Sequence, residues 1–234
     1  MIKIENVDVH GWEAAVRGMR NPMNSWKKSD SVLCLGGDGF TDCTVSPAGE
    51  CPRRGDFGQD VFCIGKNDFT LMCKLAKAGA VHGKFMRFII VSMDIVAPLY
   101  FWKEFDTYKV GTVCNSCSTM HKIHAKDFTL DDFSHEHLDF DGEDTLCGVL
   151  YALGGFRDQY LATKDKRYWW QMIQLLPSSY NQRRTVLLNY EVLRNMYFYR
   201  KNHKLDEWRE FCKWIETLPY SELITGGAEC SAKP

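Results

Sequence analysis

The sequence lacks any apolar run long enough to cross a membrane: its best stretch, residues 88–102, contains Asp94 and falls short of the roughly 18 to 20 residues a span needs. Met1-Ile2-Lys3-Ile4-Glu5 lacks the apolar core of a secretory signal, so the expected address is the cytoplasm. Charge of either sign is also not in surplus. With 29 Lys+Arg against 30 Asp+Glu the net charge is -1. No global field draws the chain onto a nucleic acid polymer or an anionic membrane, and an anionic ligand must be held by a local cluster. There is no internal repeat and no linker-like stretch. One domain is expected over residues 1–225, with a disordered tail over 226–234.

A second Cys-x-x-Cys pair is missing too. Cys114-x-x-Cys117 has the spacing of half a zinc site, but His121 and His124 would have to fold straight back to complete it, so no metal is expected. The ten cysteines are scattered over a chain of 234 residues whose own core should suffice, and reduced thiols are the expected state.

What is present is ample core material, 45% hydrophobic and 13% aromatic. Residues 2–9 alternate as a first strand, and residues 11–20 place Trp12, Ala15, Val16 and Met19 at helical spacing before Asn21-Pro22 stops them. Residues 31–58 are dense in Gly, Pro, Asp and Cys and read as a loop or lid. Asn67 is the expected cap of a helix over residues 68–78. Residues 85–96 are β-branched and aromatic, which suits a buried strand without excluding a buried helix, and Pro98 ends the run. Residues 127–145 form an acidic insertion, with eight acids between Asp127 and Asp144 and no Lys or Arg among them. Either it is a solvated surface segment pinned by Phe128, Phe133, Leu138 and Phe140, or it is a cation or partner site. Helices are expected over residues 168–176, 184–202 and 205–218.

Two polar constellations could carry chemistry. The first runs from Glu104 to His121, where Lys109, Thr112, Asn115, Ser116 and Ser118 surround a turn at Gly111. Such a set suits a phosphate or a nucleotide base, and equally suits turns and caps. The second lies on the expected helix over 184–202. Asn189 and Arg200 are eleven residues apart, three turns plus about 20°, so both should project from one stripe. Arg183, Arg184, Arg194, Lys201 and His203 add basic groups there, which also complement a helix C-terminus.

These residues resemble the flavin-dependent thymidylate synthases. Leu176-Pro177, Asn189 twelve residues after the proline, Asn195 six further on and Arg200 reproduce a pattern of that family without a gap, and residues 205–208 resemble its closing segment around Trp208. Ala97-Pro98, Asn115 and Ser118 also match. The resemblance implies an α/β fold of the α+β type: a central mixed or antiparallel sheet flanked by helices, with a helical C-terminal third. It implies transfer of a one-carbon unit to C5 of a pyrimidine deoxynucleotide, dUMP to dTMP, with FAD, methylene-tetrahydrofolate and NADPH, in a homotetramer. By the same resemblance Arg200 polarises the pyrimidine. Ser118 lies beside it, with Glu104, Lys109, Ser116, Arg183 and Arg184 around the substrate. His82, Arg87, Lys109, Thr112, Asn115, Asn189 and Asn195 face the flavin.

The departures are specific. Tyr108-Lys109-Val110 stands where the family has Arg-His-Arg, Arg87 where it has a flavin-contacting His, and Ile173 where it has a phosphate-binding Arg. Ser116 and Met120 replace its Glu and Arg around Ser118. A different pyrimidine nucleotide, a different one-carbon unit such as hydroxymethyl, or a non-catalytic nucleotide-binding role on the same scaffold are the alternatives. Cys114 or Cys117 as a thiolate nucleophile is a further one.

Overall fold

The computed structural model describes residues 2–34, 61–227 and 230. In chain order the strands and helices are β1 (Lys3–His10), α1 (Trp12–Arg20), β2 (Val32–Cys34), β3 (Val61–Cys63), α2 (Lys66–Lys77), β4 (Ile90–Pro98), α3 (Leu99–Phe105), β5 (Val113–Ser116), α4 (Thr119–Lys122), α5 (Phe140–Thr163), α6 (Lys166–Leu175), β6 (Asn181–Asn189), α7 (Tyr190–Arg200), α8 (Asp206–Ile215) and α9 (Glu222–Thr225). Four strands form one sheet in the order β1-β4-β6-β5, and β2 pairs antiparallel with β3 in a separate ribbon. The molecule is therefore a mixed α/β fold built on a largely antiparallel sheet.

The chain divides into two compact units, each discontinuous in sequence. The first comprises Met1–Asp8, Ser92–Leu187 and Arg200–Lys213, the second Val9–Val91, Leu188–Tyr199 and Trp214–Pro234. In the first unit the period-2 pattern of β4 buries Met93, Ile95 and Ala97. Phe101, Trp102, Phe105, Trp208 and Phe211 are all fully buried, and Phe101 packs its ring 4.7 Å from that of Trp208. Ile123, Phe133, Leu146, Leu153 and Met172 make a separate apolar cluster beneath α5 and α6. In the second unit Trp12, Ala15, Val16 and Met19 are buried as their spacing predicts, and Trp12 meets the ring of Tyr190 edge-on at 5.2 Å. Gly11, at φ 93°, turns the chain from β1 into α1. A Cβ there would sit 1.9 Å from the Phe88 carbonyl oxygen, so only glycine fits.

Several elements differ from the sequence reading. The helix expected over 184–202 is two elements, the strand β6 followed by α7. Gln182, Val186 and Leu188 point into the core while Arg183 and Leu187 point out, so period 2 governs until Asn189. The strand expected over 85–96 begins at Ile90, preceded by a 3-10 turn over Gly83–Phe88. Asn67 lies inside α2. The cap position is Gly65, and Asp30 supplies the carboxylate that accepts from the Asn67 and Asp68 amides at 2.8 and 3.0 Å. In the acidic stretch Phe133 and Phe128 pack inward, whereas Leu138 and Phe140 are exposed. Cys73, on α2, and Cys230, beyond the end of α9, form a disulfide where reduced thiols were expected; both are buried, and α2 packs against α9. The 24-residue helix α5 was not expected at all. Of the loop expected over 31–58, residues 35–58 lie outside the described residues, as do 228–229 and 231–234 of the expected tail.

Candidate functional site

The second unit is stapled by a buried pair. The Asp68 carboxylate accepts from Arg20 Nε at 2.6 Å and from the hydroxyls of Ser29 and Ser31, each at 2.6 Å. This pair is structural and fixes β2 against α2. The polar cluster with chemical potential lies in the first unit, where α3 positions it.

Pro98, extended at ψ 153°, ends β4 and opens α3. Helix α3 buries Phe101, Trp102 and Phe105, which leaves Glu104 on its polar side. Glu104 Oε2 accepts from Arg200 Nη1 at 2.6 Å and from Trp208 Nε1 at 3.0 Å, and lies 3.3 Å from His203 Nε2. Arg200 Nε donates to the Tyr108 hydroxyl at 3.0 Å. The guanidinium sits 4.9 Å from the Trp208 ring centroid and 5.7 Å from that of Tyr108. Its side chain is 20% exposed, and among the described residues Nη2 has no hydrogen-bond partner. A permanent cation flanked by two rings is thus held by a carboxylate from one side, with donors to spare. Glu207, buried beside Trp208, accepts from the Tyr100 hydroxyl, which ties the start of α8 to α3. Burial, and then the Glu207 carboxylate, push the Tyr100 phenol above its ordinary range.

The residues from Lys109 to Ser118 follow along β5, which pairs antiparallel with β6 so that Asn115 faces Thr185 and Ser116 faces Arg184. Lys109, Asn115 and Ser116 are exposed and make no side-chain hydrogen bond among the described residues. Thr112 Oγ1 is buried without a partner among them. The Ser118 hydroxyl accepts from the His121 amide at 3.0 Å and caps α4. Arg184 stacks 4.3 Å from the Trp102 centroid and donates to Asp106 at 2.6 Å and Gln182 at 3.0 Å. Arg183 donates to Asp94 at 2.9 Å and lies 3.2 Å from Glu5. Hydrogen bonds from Thr185, Arg183 and Asn6 hold the Asp94 carboxyl far below the usual carboxylate range. Both arginines are therefore ion-paired. Burial pushes the Cys114 thiol up, more than Arg184 pulls it down, which disfavours a thiolate nucleophile at neutral pH.

Four candidates belong to the second unit. Arg87 makes a bidentate pair with Glu191, at 2.6 and 3.0 Å. Asn189 is not on a helical stripe with Arg200: it ends β6, and its Oδ1 accepts from the Val192 amide at 3.0 Å to cap α7. His82 and Asn195 are exposed. Ile173, at the position of the absent arginine, packs against the Met172 cluster. Spacing alone did not reveal Tyr108 and Trp208 as the rings that flank Arg200. The available signal was Tyr108 falling four residues after Glu104. Among the described residues no group of three or more His, Cys, Asp or Glu could hold a metal ion, and no helix is long and apolar enough to cross a membrane.

No protein-family model matches the sequence, and no curated protein does. Solved structures match along the whole chain. A flavin-dependent thymidylate synthase from Helicobacter pylori, complexed with FAD and dUMP, superposes with a TM-score of 0.63 over 95% of this chain and 97% of that one, at 13% identity. The chain has the flavin-dependent thymidylate synthase fold. A second structure of the Helicobacter pylori enzyme with FAD and dUMP gives the same score and identity, covering 98% of this chain and 99% of that one. A UMP/dUMP methylase from Streptomyces cacaoi bound with 5-Br dUMP gives 0.56 at 12% identity, over 98% and 97%.

Proposed function

We propose that this protein transfers a one-carbon unit to C5 of a pyrimidine deoxynucleotide, with dUMP as substrate, on a bound flavin. The observation that carries the proposal is the held guanidinium of Arg200, fixed by Glu104 and Tyr108 and flanked by Trp208. Arg200 polarises the pyrimidine, because a preorganised cation shielded by two rings stabilises negative charge developing on the base more strongly than a solvated one. Ser118 and Ser116 line the nucleotide. When bound, FAD supplies the hydride, NADPH reduces it, and methylene-tetrahydrofolate supplies the carbon.

The residues proposed to hold the flavin fit in part. Within the first unit the Thr112 hydroxyl, Lys109 and Asn115 have no side-chain partner among the described residues, and within the second unit the same holds for His82 and Asn195. Asn189 retains its amide N–H groups, while Arg87 must exchange Glu191 for the cofactor.

One observation favours a related enzyme with an altered substrate. Arg183 and Arg184 are ion-paired with Asp94 and Asp106, and Ile173 packs into an apolar cluster, so Lys109 is the candidate cation that has no carboxylate partner among the described residues and is proposed for the nucleotide phosphate. A phosphate held by one ammonium lacks bidentate recognition and tolerates a wider range of nucleotides. Denaturing the purified protein and analysing what it releases tests the proposal. Flavin in the supernatant and tritium release from C5 of labelled dUMP are expected. Protein that neither retains nor binds added FAD sinks the reading.

A further inference from the structure

The Glu104 carboxylate, within the first unit, has one oxygen occupied and one open. Oε2 takes the Arg200 and Trp208 donors at 2.6 and 3.0 Å. His203 supplies a third. The Leu205 amide donates to His203 Nδ1 at 3.2 Å, so the ring hydrogen sits on Nε2, 3.3 Å from the same oxygen. Oε1 has no hydrogen-bond partner among the described residues, on a side chain 35% exposed. Holding a guanidinium accounts for Oε2 alone. It leaves an open acceptor beside the cation proposed to meet the nucleotide base.

Two further groups extend that edge. Arg200 uses Nη1 on Glu104 and Nε on the Tyr108 hydroxyl, and in a planar guanidinium the unpartnered Nη2 stands between those two nitrogens. The Tyr108 oxygen accepts from Nε, while its own O–H donates to nothing among the described residues. In order, the edge therefore offers an acceptor from Glu104, a donor from Arg200 and a donor from Tyr108. Cytosine presents the complement, since its 4-amino group donates while N3 and O2 accept. Uracil presents a carbonyl, N3–H and a second carbonyl. Laid in the same place, its O4 meets the carboxylate and its N3–H meets Nη2, two like-to-like contacts beside a guanidinium only 20% exposed. Moved over by one position, uracil satisfies Glu104 with N3–H and Arg200 with a carbonyl, and leaves Tyr108 without a partner. A carboxylate only accepts, so turning it over does not repair the mismatch as turning an amide would.

We propose that this site admits a cytosine deoxynucleotide as well as dUMP, and that Glu104 is the residue that selects the 4-amino group. The inference rests on the reading that a pyrimidine nucleotide sits against Arg200. Equilibrium binding to the full chain with FAD added tests it, with dUMP, dCMP and the pyrimidin-2-one deoxynucleotide, which keeps N3 and O2 but has no amino group. dCMP should bind at least as tightly as dUMP, and at least ~10-fold more tightly than the pyrimidinone. Glu104→Gln gives the open position a donor, and should shift the affinity ratio of dCMP to dUMP toward dUMP by at least ~10-fold. That ratio cancels a general loosening of the site, which would weaken both nucleotides alike. The comparison of the three nucleotides uses the unaltered chain and stands even where the variant does not fold. Tighter binding of dUMP than of dCMP, a pyrimidinone that binds as well as dCMP, or an unchanged ratio in folded Glu104→Gln protein would each overturn this inference and leave the one-carbon reading intact. A chain that binds none of the three overturns both.

Discussion

Glu104 and Arg200 meet at 2.6 Å, and the carboxylate oxygen that holds the guanidinium also accepts the indole N–H of Trp208 at 3.0 Å. One oxygen thus fixes a cation and the ring on which it stacks. Glu104→Gln keeps the shape and removes the charge. It should lower turnover through a less rigid guanidinium and destabilise the fold by about 1–2 kcal/mol, since the pair is partly exposed. A double-mutant cycle of Glu104→Gln with Arg200→Lys should give a coupling energy of about 0.5–3 kcal/mol. Additive effects would show that the two residues act separately.

Asp68 is fully buried and faces Arg20, Ser29 and Ser31. Burial raises its carboxyl pKa, but hydrogen bonds from Ser29, Ser31 and Arg20 outweigh that and hold it below its ordinary value. A depressed folded-state pKa contributes stability that is complete above the unfolded value of about 3.9 and is lost as pH falls through the folded one. Urea unfolding at pH 7 and pH 3 should show this loss in the wild type. Asp68→Asn should flatten that part of the pH dependence and lower stability at pH 7 by about 3–5 kcal/mol, because Arg20 is left as a buried unpaired charge. An Asp68→Asn protein as stable as the wild type at pH 7 would contradict the pairing.

The Cys73–Cys230 bond closes a loop with a sequence separation of 157. Reduction, or Cys73→Ser, should lower stability by about 2–5 kcal/mol. Peptide mapping under non-reducing conditions should recover the linked pair, and alkylation of both thiols in the native protein would show that they are not joined.

Much of the fold was legible where one period governed one element. Trp12, Ala15, Val16 and Met19 marked α1, and Val91, Met93 and Ile95 marked β4, because each set buries one face. The reading failed where signals conflicted. Residues 181–189 contain two arginines and a leucine pair that mimic a helix start, yet Gln182, Val186 and Leu188 alternate inward as a strand. Helix α5 contains Gly142, Gly148, Gly154 and Gly155 and follows an acidic run, so both propensity and periodicity pointed away from it. In the site, Arg200 and Glu104 could be named from the sequence, but their contact could not. It depends on α3 and on the turn between α7 and α8 converging over a separation of 96 residues. The Asn189 stripe failed for a local reason, since an amide at a strand end caps the next helix.

Arg87, 53% exposed, pairs with Glu191, 16% exposed, and such a partly exposed pair is worth about 1 kcal/mol. Arg87→Ala should therefore leave the unfolding midpoint nearly unchanged while weakening FAD retention, measured by equilibrium dialysis. Unaltered FAD affinity would remove Arg87 from the flavin site.

Arg200 is the residue on which the functional account turns, and tritium release from C5 of dUMP by the FAD-loaded Arg200→Lys protein tests it most directly. Lysine keeps the charge but loses the planar fork that bonds Tyr108 and Glu104 together, so release should fall at least ~10²-fold while the circular dichroism spectrum stays that of the wild type. Release at the wild-type rate would contradict a polarising role for Arg200.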